Sequence, residues 1–294
     1  MKFGISMFPT DFSAGPAELA LAIEDHGFES FWVSEHSHMP LSTEFPLADS
    51  VPRDYASMLD PFVALATAAA VTSNIKLGTA ICLVPQRDPI NCAKEVASLD
   101  HVSNGRVLFG IGAGWNGPEM RNHGTEPSER FRVMRERVEA MRALWTSEEA
   151  EYHGEKENFD PVWQWPKPVQ KPHPPILVAG AHPNVLKRAV AYGDGWLPVV
   201  VPEHTEQTRG RMTPLADLSE WVPRLRALAD EAGKPSPIVT TLGLVPDKQI
   251  LATYEQLGID RVVLGLTSAP MEDALRELKQ HVASIEAAGG RLGG

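Results

Sequence analysis

The chain has 294 residues, 43% of them hydrophobic, and carries 27 basic against 38 acidic side chains for a formal net charge of -11. This is enough apolar material for a large core, and the acidic balance excludes the basic surface that nucleic acids and anionic membranes select. Two cysteines, Cys82 and Cys92, form neither a disulfide framework nor a metal-ligand spacing, so a reducing cytoplasm is the expected compartment.

Lys2 to Phe8 reads as a first strand rather than a signal peptide, because it lacks a long apolar region and a cleavage site. Pro16 to His26 reads as a helix with Leu19, Ala20 and Ile23 on one face, stopped by Gly27. A second strand, Phe28 to Ser34, ends in Glu35-His36-Ser37-His38, and a polar loop follows to about Leu59. Asp60-Pro61 and Asp88-Pro89 each place an N-cap before a proline at the first helical turn. The helices they open run to Thr72 and Val102, and between them lies a third strand, Ile75 to Cys82. Asn104-Gly105 ends the second of these helices, and Val107 to Ile111 is a fourth strand that runs into Gly112-Ala113-Gly114-Trp115-Asn116. Both of these strands are continuous apolar runs, as expected where both faces of a parallel sheet are covered.

Ser128 to Trp145 reads as a long charged helix. Glu151 to Pro175 holds Trp163, Trp165 and six prolines, which rules out a helix or a central strand and leaves a hairpin-like or extended flap. Ile176 to Ala179 is a fifth strand, followed by Gly180-Ala181-His182 and a helix from Pro183 to Tyr192. Trp196 to Val200 is a sixth strand, and a polar segment to Pro214 leads to a helix from Leu215 to Ala232. Ile238 to Leu244 and Arg261 to Leu266 are the last two strands, separated by a helix that Gly258 stops. A helix from Pro270 to Ala288 and a frayed tail close the chain. Eight strands alternating with helices imply parallel pairing, and eight units favour a closed (β/α)8 TIM barrel over an open sheet. The expectation is a single α/β domain with insertions at the C-terminal face, at about 37–59, 116–129, 151–175 and 201–214.

A barrel of this kind carries its active site at the C-terminal ends of the strands. Gly180-Ala181-His182 opens a helix and is either an anion site or a tight turn with nothing bound. His36, beside Glu35, is either a proton donor or acceptor at the mouth or a polar loop residue. His36-Ser37-His38 has the look of a metal pair, but the other strand ends supply no further ligands, so no metal is expected. Trp115 either stacks on a ligand or anchors its loop, and Cys82 reads as packing.

Ser30-Phe31-Trp32-Val33-Ser34-Glu35-His36, Leu77-Gly78-Thr79-Ala80-Ile81 and the run from Asn104 to Trp115 together resemble the luciferase-like monooxygenase superfamily, as do Lys167 to Ile176 and Tyr192-Gly193-Asp194-Gly195-Trp196. The order of these motifs covers nearly the whole chain and is most similar to the oxidoreductases that use coenzyme F420, a 5-deazaflavin. The resemblance implies a (β/α)8 barrel, a homodimer, and a deazaflavin or flavin ring at the mouth. It implies a cis peptide at Ala80-Ile81 behind the ring and cofactor contacts from Thr79, Ala80, Ile81, Gly112, Ala113, Gly180, Ala181 and His182. It further implies His36 as the acid or base, with Glu35, Trp115 and Asn116 toward the substrate. Sugar-phosphate dehydrogenases of this group carry a glutamate where this chain has Trp115, so the resemblance extends neither to their substrate nor to their paired acid-base mechanism. The expected activity is hydride transfer to or from a small organic substrate. FMN-dependent monooxygenation and flavin or deazaflavin binding without catalysis are the alternatives.

Overall fold

The computed structural model of the chain describes residues 1–181 and 184–293. In chain order the elements are β1 (Lys2–Met7), α1 (Pro16–Asp25), β2 (Ser30–Val33), α2 (Arg53–Ala56), α3 (Pro61–Val71), β3 (Lys76–Thr79), α4 (Pro89–Val102) and β4 (Val107–Ile111). They continue with α5 (Gly117–Asn122), α6 (Arg130–Thr146), β5 (Ala150–His153), β6 (Asn158–Val162), β7 (Ile176–Ala179), α7 (Asn184–Tyr192), β8 (Gly195–Leu197), β9 (Val200–Val201) and β10 (Thr213–Pro214). The last are α8 (Leu218–Glu231), β11 (Ile238–Leu242), α9 (Lys248–Leu257), β12 (Arg261–Leu266) and α10 (Met271–Ala288).

Eight of the strands close into a parallel barrel in the order β1-β12-β11-β8-β7-β4-β3-β2, with β2 pairing back onto β1. The fold is a (β/α)8 barrel, as the alternation of elements requires. Along β4 the side chains alternate between two cores. Leu108 points into the barrel with Trp32, Leu177, Leu197, Leu242 and Val263. Val107, Phe109 and Ile111 point outward to the helical shell. Trp32 fills the barrel interior opposite Gly78, where an added Cβ would meet the indole at 2.1 Å. Below it Arg261 donates from Nε and Nη2 to the two Glu29 oxygens, each at 2.6 Å, and closes the N-terminal end.

The capping signals hold. Asp60 accepts from the N–H of Phe62 and Val63, and Asp88 from that of Asn91. The flap does contain a hairpin, β5 with β6. Its place differs from expectation. The segment joins the end of α6 to the start of β7, and a helix-to-strand connection returns to the N-terminal face of a barrel. Its hydrogen bonds agree: Gln170 Nε2 donates to the carbonyl of Val107 at the start of β4, and Lys167 Nζ to those of Leu144 and Ser147. The base of the stretch 151–175 therefore lies at the N-terminal face, while its hairpin tip runs back along α6 to Glu129 and Arg132, and none of its residues lines the mouth cavity. The tail also differs, since Gly293 N–H donates to Gly27 and Leu292 packs on the core. Among the described residues, no helix is long and apolar enough to cross a membrane.

Candidate active site at the barrel mouth

The C-terminal ends of the strands surround a cavity of 480 Å³, a size suited to a small molecule. Ala80, Ile81, Gly112, Ala113 and Gly114 line it from the ends of β3 and β4. The Ala80-Ile81 peptide is cis, and Ser34 Oγ donates to the Ala80 carbonyl at 2.6 Å. A Cβ at Gly112 would stand 1.9 Å from Ile81 Cδ1, so the glycine lets the Ile81 side chain lie directly against the end of β4.

One end of the cavity is aromatic. The loop after β2 brings Phe45 and Tyr55 against Trp115, with ring centroids 4.9 Å (Phe45–Tyr55) and 5.6 Å (Phe45–Trp115) apart in edge-to-face packing. Leu47 and Met120 complete this wall. Burial, with the charge of Asp54 beside it, pushes the Tyr55 phenol up, so it stays protonated at neutral pH.

His36 stands one layer behind, its ring 5.4 Å from that of Tyr55 and 5.6 Å from that of Trp115. Its Nδ1 lies 2.7 Å from Glu119 Oε2, and both side chains are buried. Burial alone would raise Glu119. The hydrogen bond and charge of His36 and the backbone N–H of Ser37 outweigh it and hold the carboxyl below its ordinary value.

The other end is cationic. Arg130, Arg188 and Arg211 line it, beside Gly180 and Ala181 at the approach to α7. The guanidinium groups of Arg130 and Arg188 lie 4.5 and 3.6 Å from the Phe131 ring centroid. Arg130 also donates to the Pro127 carbonyl. Among the described residues no carboxylate forms an ion pair with any of the three. Burial lowers Arg188, but from so high an ordinary value that it stays charged at neutral pH. Three guanidinium groups without a carboxylate partner, beside Gly180 and Ala181, suit an anion. Gly180 adopts φ +142°, a backbone that a side chain disfavours.

Of the residues expected at the mouth, Ala80, Ile81, Gly112, Ala113, Gly180, Ala181 and Trp115 line the cavity. His182 lies outside the described residues. Four others stand elsewhere. Thr79 is buried and spends its hydroxyl on the Gly110 carbonyl at 2.7 Å. Asn116 is buried against Thr43 and Met39. Glu35 does not face a substrate, because it accepts from Leu83 N–H at 2.7 Å and from Arg87 Nε at 2.6 Å. Arg87 in turn binds Asp60 and Glu95, so Glu35 belongs to a charge cluster that ties β2 to α3 and α4. His36 stands just behind the lining residues, its ring against those of Tyr55 and Trp115. Cys82 is buried as packing.

Sequence reasoning missed Phe45, Tyr55, Glu119, Arg130, Arg188 and Arg211. Only Glu119 had a local signal, as an acidic residue in the first turn of a helix opened by Pro118 after the glycine-rich strand end. Among the described residues, no group of three or more His, Cys, Asp or Glu is placed to hold a metal ion.

The sequence profile of the luciferase-like monooxygenases matches residues 14–249. An uncharacterized protein of Mycobacterium tuberculosis is 40% identical over 292 residues, covering 97% of this chain and 99% of the relative. The F420-dependent glucose-6-phosphate dehydrogenase of Kineococcus radiotolerans is 32% identical over 201 residues, covering 67% of this chain and 56% of its own length. Among solved structures, the monooxygenase RslO1 of Streptomyces bottropensis aligns with a TM-score of 0.76 at 22% identity over 97% of this chain and 99% of that one, a likeness of fold. Relatives and structural neighbours include F420-dependent and flavin-dependent proteins alike.

Proposed function

The chain belongs to the luciferase-like monooxygenase family, and from that premise we propose that it is an oxidoreductase that uses coenzyme F420 to transfer a hydride to or from a small organic substrate. The observation that carries this reading is the cationic end of the cavity. The F420 side chain bears a phosphodiester and glutamyl carboxylates, whereas FMN bears a single phosphate. Arg130, Arg188 and Arg211 supply more positive charge than one phosphate needs.

When bound, the deazaflavin supplies the ring carbon that gives or takes the hydride. The chain's own residues do the rest. Ala80, Ile81, Gly112 and Ala113 offer a smooth apolar surface to a flat ring, and the arginines with Gly180 and Ala181 hold the anionic tail. Phe45, Tyr55 and Trp115 exclude water and accept an apolar part of the substrate. His36 serves as the acid or base, and the protonated Tyr55 phenol is a second donor at the wall. Thr79 acts behind the floor by fixing β3 to β4, and Asn116 by fixing the loop that carries Trp115.

Titration with F420 and, separately, with FMN tests the reading through quenching of each chromophore's fluorescence. Saturable quenching of F420 at concentrations where FMN is unaffected is the expected result. Preference for FMN would overturn it and point to monooxygenation on the same barrel. Tight F420 binding with no turnover over a broad substrate panel would leave a binding protein without catalysis.

The enzyme is further proposed to work in the cytoplasm as a homodimer. Helix α3 is apolar on every side, yet Val63 is 63% exposed and Val71 42%. A second copy of the chain is the partner that covers this face. Sedimentation should show a dimer, and Val63→Arg a monomer. A monomeric wild type would end that proposal.

A further inference from the structure

Among the described residues Glu119 is the only carboxylate that touches His36, and the hydrogen bonds around it have a fixed direction. An ionised carboxylate only accepts. Its Oε1 accepts from the backbone N–H of Ser37 at 3.1 Å and lies 3.5 Å from the Ser37 hydroxyl. The Ser37 hydroxyl is itself 2.7 Å from His123 Nε2 and 2.9 Å from His38 Nδ1, and Asn122 contacts the far nitrogen of His38. With the hydroxyl proton turned to Glu119, its lone pairs are left to accept from the two imidazoles. One oxygen of Glu119 is thus anchored to the chain after β2, and the other, Oε2, remains for His36 at 2.7 Å. His36 Nδ1 must then carry the hydrogen. The second ring nitrogen, Nε2, has no hydrogen-bond partner among the described residues, and His36 keeps 8% exposure, with its ring against those of Tyr55 and Trp115.

We propose that Glu119 is the positioning residue of the site: it holds His36 in the Nδ1–H tautomer and so leaves Nε2 as the nitrogen that exchanges a proton with the substrate. The proposal deepens the oxidoreductase reading and rests on His36 being its acid or base. The proton balance is simple. When substrate is oxidised, Nε2 takes one proton and the ring becomes a cation, with Nδ1–H still bound to the carboxylate. When substrate is reduced, the cation returns the Nε2 proton and the ring is neutral again. Glu119 stays ionised throughout and offsets the charge, the role a buried carboxylate plays behind an acid-base histidine elsewhere. The carboxylate comes from α5, so that short helix has a function beyond closing the loop.

Nitrogen-15 NMR of the histidine side chains tests this without a substrate. In the neutral ring of the wild type, His36 should show a protonated Nδ1 and an unprotonated Nε2. In Glu119→Gln the amide can face the ring with either its oxygen or its NH2. The fixed direction is lost, and the Nε2–H form that a free imidazole favours should become a major species. Ser37→Ala retains the backbone donor to Glu119 and should keep the Nδ1–H form. A wild-type His36 protonated at Nε2, or the same tautomer in Glu119→Gln, would overturn the proposal. The wild-type measurement decides even where the variant fails to fold. F420 quenching on the same samples separates the two readings. No quenching overturns the cofactor assignment alone, while the wrong tautomer overturns the role of Glu119 whatever F420 does.

Discussion

The two ends of the mouth cavity differ in what they ask of a ligand. At the aromatic end Phe45, Tyr55 and Trp115 pack against each other, edge to face, and their polar support lies one layer behind, in His36 and Glu119. At the cationic end Arg130, Arg188 and Arg211 carry charge that no carboxylate among the described residues neutralises. The aromatic end is internally satisfied and recognises by shape and exclusion of water. The cationic end is incomplete until an anion arrives. In a chain of net charge -11, keeping three such arginines together is the signature of a binding site rather than of surface solubility. On the proposed function, the anionic cofactor tail belongs at the cationic end and the apolar substrate at the other.

The largest effect should come from reversing charge at the cationic end. Arg188→Glu removes a charge-assisted contact of about 1.5–3 kcal/mol and adds a repulsion, so F420 affinity should fall by roughly 100-fold. Fluorescence titration reads it, and added salt should weaken the wild type as well. An affinity within about twofold of wild type would break the comparison, because the tail would then lie elsewhere. Trp115→Ala probes the opposite end. It should leave F420 affinity nearly unchanged and raise KM for an apolar substrate by about tenfold, the cost of roughly 1.4 kcal/mol of lost ring contact. A variant that loses cofactor and substrate binding together would show the two ends to be one site.

The same contrast explains what could be read from the sequence. The barrel was legible because strands covered on both faces must be apolar throughout: β4, β7 and β12 fall where the runs of Val, Ile and Leu place them. Strand ends were legible too, so Ala80, Ile81, Gly112, Ala113 and Trp115 were found at the cavity. The cationic end was not. Arg130 opens α6, Arg188 lies a turn inside α7, and Arg211 sits in a polar loop, so no periodicity links them before the chain folds. Glu35 misled because it adjoins His36 in sequence, yet just past the end of β2 the two side chains turn to different partners. It turned to Arg87, while the partner of His36 came from Glu119, 83 residues away. The flap at 151–175 was misplaced for a topological reason. It follows a helix and precedes a strand, which roots it at the N-terminal face, and only its hairpin tip climbs back along α6 to Glu129 and Arg132.

The smallest effect is the most specific to the aromatic end, and its sign follows from Glu119. Its folded-state value lies below the ordinary one, through His36 and Ser37 acting against burial. A carboxylate so depressed adds stability that is fully present above its unfolded value, near 4.5, and is lost as pH falls through the folded value. The Arg188 guanidinium of the other end stays charged over that whole range. Acid should therefore loosen the aromatic end alone. Urea unfolding of wild type and Glu119→Gln should show a stability gap at pH 7 that narrows steadily below about pH 4.5, because the wild type is losing what the variant never had. Trp115 fluorescence should change over the same range, since its ring lies against His36. A gap that stays constant down to about pH 3 would mean that Glu119 is held by packing rather than by charge, and the two ends would then differ less than their side chains imply.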